Sequence, residues 1–138
     1  MISSLEELAR SKGGPASILL VDDDQATLEL FRALSDGYNC EWEMLPNGKM
    51  AVDKVRERPF DLVMLDLKMP GNGGEVTFTK IKLVRPRQPV VIISGYLDSE
   101  VILRLQKIGF CALIQKPTLY TPEFFQDMLG TFQIRKRQ

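Results

Sequence analysis

The feature that most constrains the fold is an alternation, from residue 17 onward, of short apolar runs with amphipathic segments. Short runs rich in Val, Ile and Leu are typical of strands that are buried on both faces. The runs that we predict as strands are residues 17–21, 40–45, 62–66, 90–94 and 112–115. The segments that we predict as helices lie at about 25–35, 48–57, 74–84, 98–108 and 121–132. This alternation is the signature of a parallel sheet covered by helices, so we expect one doubly wound α/β domain.

Two shorter segments flank the predicted domain. Residues 1–16 are expected to form a helix and a linker, because Ser4 and Glu7 make a capping box and a Gly-Gly-Pro run then breaks the helix. The domain itself is expected to occupy residues 17–133. Residues 134–138 form a basic tail, whose cations suit the negative end of the last helix.

Composition excludes several classes of function. The chain has 18 basic and 18 acidic residues, and this balance argues against a general role on nucleic acid or on a membrane surface. Histidine is absent, which excludes Ser-His-Asp and Cys-His catalysis. The two cysteines form neither a C-x-x-C pair nor a zinc pattern, so we expect reduced thiols and a cytoplasmic location. No apolar stretch approaches the roughly 20 residues that span a bilayer, and the first residues do not read as a signal peptide.

Polar residues cluster where the predicted strands end. The first strand runs into Asp22 and Asp23, the third ends in Asp66, the fourth ends in Ser94, and the fifth runs into Lys116. In an open parallel sheet, ligands bind beyond the carboxyl ends of the strands. We therefore expect these five side chains to lie close together at one edge of the sheet.

Three carboxylates at one edge need a counter-charge. Two carboxylates about 4 Å apart repel by roughly 4 kcal/mol at an effective dielectric constant near 20. All three can stay ionised only if a cation lies among them. Oxygen ligands without histidine or cysteine select hard ions, so the pattern predicts Mg2+, with a main-chain carbonyl after Asp66 as a further ligand.

The same residues are suited to phosphoryl chemistry. A carboxylate such as that of Asp66 can attack a phosphoryl group once its own charge is partly offset. Transfer then requires that the phosphoryl oxygens be neutralised and hydrogen-bonded. Lys116 would supply an ammonium group for this purpose, and Ser94 would supply a hydroxyl.

With these residues placed, the chain closely resembles the receiver domain of two-component response regulators, of the chemotaxis-regulator type. The resemblance rests on LLVDDD, DLVMLDLKMPGNGGEV, VVIISG and GFCALIQKP, which follow the family's order and spacing over about residues 17–133. It implies a flavodoxin-like fold in which the five parallel strands have the order 2-1-3-4-5.

The resemblance also implies a role for each residue of the cluster. Asp66 would accept a phosphoryl group from a histidine kinase or a histidine phosphotransfer protein. The implied Mg2+ ligands are Asp22, Asp23, Asp66 and the main-chain carbonyl of Lys68. Ser94 would be the switch hydroxyl, and Lys116 would bind the phosphate. Receiver domains catalyse only their own phosphorylation and dephosphorylation, so we expect a signalling domain and not a metabolic enzyme.

The expected output is a change in protein contacts. In the family, phosphate alters the surface formed by the fourth helix, the fifth strand and the fifth helix. This surface would contact an effector, an output domain or a second copy of the chain. Leu113 stands where the family usually has a rotating Tyr or Phe, and Gly73 stands where an acidic residue is common. Tyr96, two residues after Ser94, is expected to tune access to the phosphoryl group.

Two other interpretations remain open at this stage. Leu113 is compatible with a receiver-like module that binds partners without phosphate. A haloacid-dehalogenase-like phosphatase also uses a strand-end Asp, a Ser or Thr and a Lys, but here no acidic pair follows Lys116. For Asp24 a structural role is favoured, because an acid at that position caps the first helix.

Overall fold

A five-stranded parallel sheet with the order β2-β1-β3-β4-β5 organises the computed structural model of the chain. The structure describes residues 14–68, 73–95, 99–109, 112–115 and 121–137, and of Gln115 only the main chain. The strands are β1 (Ala16–Val21), β2 (Cys40–Leu45), β3 (Leu62–Asp66), β4 (Val90–Ser94) and β5 (Ala112–Gln115). The helices are α1 (Gln25–Leu34), α2 (Gly48–Glu57), α3 (Gly74–Val84), α4 (Ser99–Ile108) and α5 (Pro122–Thr131). The α/β class is the one that the sequence pattern predicts, and the strand order is the one that the family resemblance implies.

Helices α2 and α3 have the predicted bounds, and the other three differ from the prediction by one residue at one or both ends. Capping residues just outside α1 and α5 explain the difference for those two helices. Thr121 was predicted inside the last helix, but its hydroxyl accepts a hydrogen bond from the main-chain N–H of Phe124 at 3.1 Å, so the helix starts at Pro122. Ser35 ends α1 by donating its hydroxyl to the carbonyl of Phe31 at 2.8 Å. The predicted helix near residues 1–12 lies outside the described residues. Within the described ranges, no helix has both the length and the apolar character needed to cross a bilayer.

One face of the sheet is covered by α1 and α5. Its centre is an aromatic group in which the ring of Phe31 lies 5.1 Å from that of Phe125 and 5.6 Å from that of Trp42. The indole N–H of Trp42 donates to the hydroxyl of Ser35 at 2.8 Å. Aromatic pairs at these separations add to the stability that comes from burial alone. This face therefore holds α1 and α5 firmly on the sheet.

The other face of the sheet is covered by α2, α3 and α4. Val55, Phe78 and Leu105, one from each helix, pack there against the central strands. Every residue of β3 and β4 is buried, whereas β2 at the edge of the sheet is only half-buried. Burial on both faces explains why the central strands are continuous apolar runs, and it leaves their carboxyl ends as the place for polar side chains.

The last residues before the C-terminus pack on the domain. Ile134, within the segment predicted as a basic tail, is 3% exposed and belongs to the core beside α1 and α5. The carbonyl of Arg135 accepts a hydrogen bond from the N–H of Asn39 at 2.7 Å. Tyr38 and Lys136 form an antiparallel β-bridge. Residues 134–137 are thus fixed against the loop that joins α1 to β2.

Candidate functional site

Asp66 is the last residue of β3, the central strand of the sheet, and only 5% of it is exposed. On one side, Val21, the last residue of β1, pairs with Leu65, so Asp22, which directly follows β1, lies beside Asp66. Asp22 is 1% exposed. Neighbouring strands are about 4.8 Å apart, so the register brings two buried carboxyl groups together at one edge of the sheet.

The turn after β1 is shaped by carboxylate hydrogen bonds. Asp22 Oδ1 accepts a hydrogen bond from the N–H of Asp24 at 3.0 Å, and Asp24 Oδ1 accepts one from the N–H of Ala26 at 3.0 Å. Asp24 is therefore the N-cap of α1, as predicted from the sequence. Asp23, between them, is exposed. The turn thus holds Asp22 inward at the strand end and gives Asp24 a structural role.

The loop after β3 is held close to the carboxyl group of Asp66. Asp66 Oδ1 accepts a hydrogen bond from the N–H of Lys68 at 3.0 Å. The N–H of Leu67 donates to the carbonyl of Ile93 on β4 at 3.0 Å, and the carbonyl of Leu67 accepts from Gly74 at 3.0 Å. These contacts fix one carboxylate oxygen of Asp66 and tie the start of the loop to α3.

The N-terminus of α3 explains one departure from the receiver pattern. Gly73, the N-cap of α3, has φ +43°, a left-handed conformation that glycine adopts without the penalty of a Cβ atom. The position where an acidic residue is common in receivers is therefore occupied by the residue type that this backbone requires.

The fourth strand brings a hydroxyl to the same edge of the sheet. Ser94 ends β4, is 1% exposed, and pairs in register with Gln115 on β5. Lys116 directly follows Gln115 in the chain, but Lys116 and Tyr96 both lie outside the described residues. The structure thus brings Asp22, Asp66 and Ser94 to one edge of the sheet.

The donor chemistry of this edge fits Mg2+. Asp22 and Asp66 offer hard carboxylate oxygens, and Lys68 offers a main-chain carbonyl in the adjoining loop. In the part of the chain that the structure describes, no three Asp, Glu, Cys or His side chains lie close enough together to form a metal site by themselves. This is compatible with Mg2+, which is usually bound by one or two carboxylates and takes its other oxygens from water and phosphate.

Comparison with known families decides the class of the protein. The family described as "Response regulator receiver domain" matches residues 18–124. The chain belongs to this family. The sequence-based resemblance is thereby confirmed, and the match gives no support to the phosphatase interpretation.

Three similar proteins illustrate the match. The transcriptional regulatory protein ZraR of Escherichia coli O157:H7 is 35% identical over 100 residues, which are 72% of this chain and 23% of ZraR. This receiver chain therefore spans about a quarter of the length of that relative. The solved structures below share 24% and 17% sequence identity with the chain and show its fold.

The first of these structures is a CheY-like receiver domain protein from Methanospirillum hungatei JF-1. It has a TM-score of 0.77, with 86% of this chain and 93% of that chain covered. The second is the receiver domain of the sensor histidine kinase PA1611 from Pseudomonas aeruginosa PAO1, with a magnesium ion coordinated in its active site cleft. Its TM-score is 0.73, with 86% of this chain and 98% of that chain covered.

Two further features lie on the face of the sheet that α2, α3 and α4 cover. Leu113 on β5 is half-buried and packs against the cluster beneath α2, α3 and α4, where many receivers have an aromatic ring. Glu75 and Arg104 form two hydrogen bonds, at 2.7 and 3.2 Å, between the first turn of α3 and α4. Sequence analysis missed this ion pair, since its members are 29 residues apart and share no helix.

Proposed function

We propose that this receiver domain accepts a phosphoryl group on Asp66 from a histidine kinase or a histidine phosphotransfer protein, and that phosphate changes its contacts with partners. One observation carries the proposal: Asp66 lies at the tip of the central strand, buried, beside the buried carboxyl group of Asp22. Two carboxylates this close stay ionised when a cation lies beside them, and a carboxylate placed in this way can attack a phosphoryl group.

The proposed chemical step is an attack of one Asp66 carboxylate oxygen on phosphorus. A new P–O bond forms while the bond from phosphorus to the donor nitrogen breaks, and the electron pair of that bond leaves with the donor. The N–H of Lys68 holds Oδ1 at 3.0 Å, which orients the carboxylate and supports attack by its other oxygen, Oδ2. Lys116 would neutralise the phosphoryl oxygens, and Ser94 would hydrogen-bond one of them.

Four groups of this chain would hold Mg2+: the carboxylates of Asp23 and Asp66 and the carbonyl of Lys68 directly, and the carboxylate of Asp22 partly through water. The bound ion would offset the negative charge that develops on the phosphoryl oxygens. Support comes from the hard oxygen donors at this edge and from the magnesium ion in the PA1611 receiver domain. Asp23, which is exposed, would act beside the two buried carboxylates.

The proposed output surface consists of α4, β5 and α5, and it would bind a downstream effector, an output domain or a second copy of the chain in a homodimer. Leu113 has no ring to rotate between a buried and an exposed position, so Ser94 and the Glu75–Arg104 pair would transmit the change to α4. We further propose that Tyr96 tunes access to the phosphoryl group and that the domain works in the cytoplasm, without direct contact with nucleic acid or membrane.

The test is labelling with a small phosphodonor. Acetyl phosphate with Mg2+ should add one acid-labile phosphate to the chain, detected by intact mass, and Asp66→Asn should abolish it. The matched control is Asp24→Asn, because asparagine caps a helix as well as aspartate does and Asp24 holds α1. Equal labelling of Asp66→Asn and the wild type would overturn the assignment of the site.

A second function, as a module that signals without phosphate, is favoured by one observation, the aliphatic Leu113 in β5. Beryllium fluoride with Mg2+ mimics the bound phosphoryl group, so it distinguishes the phosphate-dependent receiver from the phosphate-independent module. The receiver proposal expects NMR shift changes both around Asp66 and along α4. Changes around Asp66 with none in α4 would favour the phosphate-independent module.

A further inference from the structure

A groove of about 380 Å³ lies between α2 and α3, away from the strand ends. Its apolar part is formed by Val52, Leu83 and Val84. Leu83 is 75% exposed, the highest value among the large apolar side chains of the described residues. Val76, which is 48% exposed, lies two helical turns before Leu83 on the same side of α3. Val76 and Leu83 form an exposed apolar strip on α3, and a strip of this kind can bind a partner helix.

The rim of the groove is positively charged. Lys49, Arg56 and Lys80 line it, with Asp53 as the acidic lining residue. Asp53 is paired with Arg56, Nη1 to Oδ1 at 3.3 Å. Among the residues that the structure describes, neither Lys49 nor Lys80 takes part in an ion pair. The groove therefore suits an apolar helix with acidic flanks.

We propose that the occupant is the chain's own N-terminal segment, residues 1–13. Its sequence predicts a short helix with Leu5 and Leu8 on one face, and Glu6 and Glu7 lie beyond the two borders of that face, each roughly 130° from its centre. Leucines would meet the apolar strip at Leu83, and the glutamates would meet the basic rim. Arg10 and Lys12 balance the charge of the whole segment, so the match in charge is confined to residues 5–8. The apolar face and the place where the chain enters the domain select this segment as the occupant, and the proposal is independent of the phosphoacceptor assignment.

The chain enters the domain within reach of the groove. Ser17 at the start of β1 is hydrogen-bonded to Asp61, Oδ2 accepting from the N–H of Ser17 at 2.7 Å. Asp61 lies four residues after Glu57, the end of α2, so Ser17 and that helix end are separated by roughly 15–20 Å at most. With residues 9–12 at the end of the helix and residues 13–16 extended, this connection spans on the order of 20 Å. The segment can therefore fold back onto α2 and α3 without disturbing β1.

Amide hydrogen exchange in the full chain tests the docking by charge reversal. The variant Lys49→Glu/Lys80→Glu should lose protection at the amides of residues 5–8 by at least about threefold, although these residues are remote in sequence. Adding Glu6→Lys/Glu7→Lys to that variant should restore protection. The matched control, Arg32→Glu/Lys107→Glu, makes the same change in charge on α1 and α4 and should leave residues 5–8 unaffected.

Three outcomes would overturn the proposal. Unchanged exchange at residues 5–8 in Lys49→Glu/Lys80→Glu would show that the groove does not hold the segment. Loss of protection in the control variant instead would place the segment elsewhere on the domain. Protection that falls on dilution would indicate that the segment docks on a second copy of the chain.

Discussion

Replacing Gly74 with alanine should push the loop after β3 away from the first turn of α3. An ideal Cβ atom on Gly74 would contact the main chain of Leu67, meeting its Cα, its carbonyl oxygen at 2.5 Å and its carbonyl carbon at 2.6 Å. These are main-chain atoms, so no side-chain rotation relieves the clash. The same glycine donates its N–H to the carbonyl of Leu67 at 3.0 Å, so that bond would lengthen as well.

The expected cost follows from the two opposing effects of the substitution. Overpacking of this kind costs about 1–3 kcal/mol, while alanine in a helix gains about 0.5–1 kcal/mol over glycine. The resulting net loss of about 0–2.5 kcal/mol should lower the unfolding midpoint by up to about 10 °C for a domain of this size. Displacement of Leu67 also moves Lys68, whose carbonyl is a proposed Mg2+ ligand. If the affinity for Mg2+ falls tenfold, the stabilisation that saturating Mg2+ provides falls by about 1.4 kcal/mol.

Thermal unfolding, with and without Mg2+, measures both effects in Gly74→Ala. Phosphate labelling by acetyl phosphate then gives a functional reading of the same variant. The matched control is Gly130→Ala in α5, where an added Cβ meets nothing within 4 Å, so stability should rise by about 0.5–1 kcal/mol. The reasoning is refuted if Gly74→Ala matches Gly130→Ala in midpoint and in Mg2+ response.

The remaining predictions concern stability. Gln88→Ala should cost about 2–4 kcal/mol by urea denaturation, because Gln88 satisfies both the N–H of Phe60 at 2.9 Å and its carbonyl at 2.8 Å inside the core. Ile134→Ala should cost about 2–4 kcal/mol in the same assay, because the side chain is buried in the core. Burial raises the pKa of the Cys40 thiol, so its neutral form favours the folded state. That contribution is complete below the ordinary thiol pKa and is lost as the pH rises through the raised value, so the stability advantage of the wild type over Cys40→Ala should shrink between about pH 8 and pH 11.

Each of these predictions has a control. Gln106 is exposed on α4, so Gln106→Ala should change stability by no more than about 0.5 kcal/mol. Ile108 is 41% exposed, so Ile108→Ala should cost clearly less than Ile134→Ala. Equal losses for the two members of either pair would contradict the burial argument. A pH-independent difference between the wild type and Cys40→Ala would contradict the account of the thiol.

Much of the fold could be predicted because burial on both faces of the sheet imposes a simple pattern. Strand β3 is buried at every residue, and its apolar run in the sequence has the same limits as the strand. The cap of α1 was also predicted: Asp24 Oδ1 accepts a hydrogen bond from the N–H of Ala26 at 3.0 Å. The strand-end rule likewise anticipated that Asp22 and Asp66 would lie side by side.

Other features depend on contacts that leave no periodic trace in the sequence. Gln88 reaches Phe60 across 28 residues, so neither residue alone suggests the pair. Ile134 is followed by three basic residues, so the sequence predicts an exposed basic tail there, although Ile134 itself is buried in the core. The geometry of the receiver site itself was easier to anticipate because parallel strands align their ends, whereas loops and helix faces meet according to packing alone.

Trp42 is the single tryptophan of the chain, and it packs with Phe31 and Phe125 on the α1–α5 side of the sheet. Its intrinsic fluorescence therefore reports on one half of the molecule. Loosening of α1 or α5 would change the emission of Trp42, whereas a rearrangement confined to α2 and α3 would leave that emission almost unchanged. Comparing indole emission with far-ultraviolet circular dichroism during unfolding would thus reveal whether the two faces of the sheet come apart together.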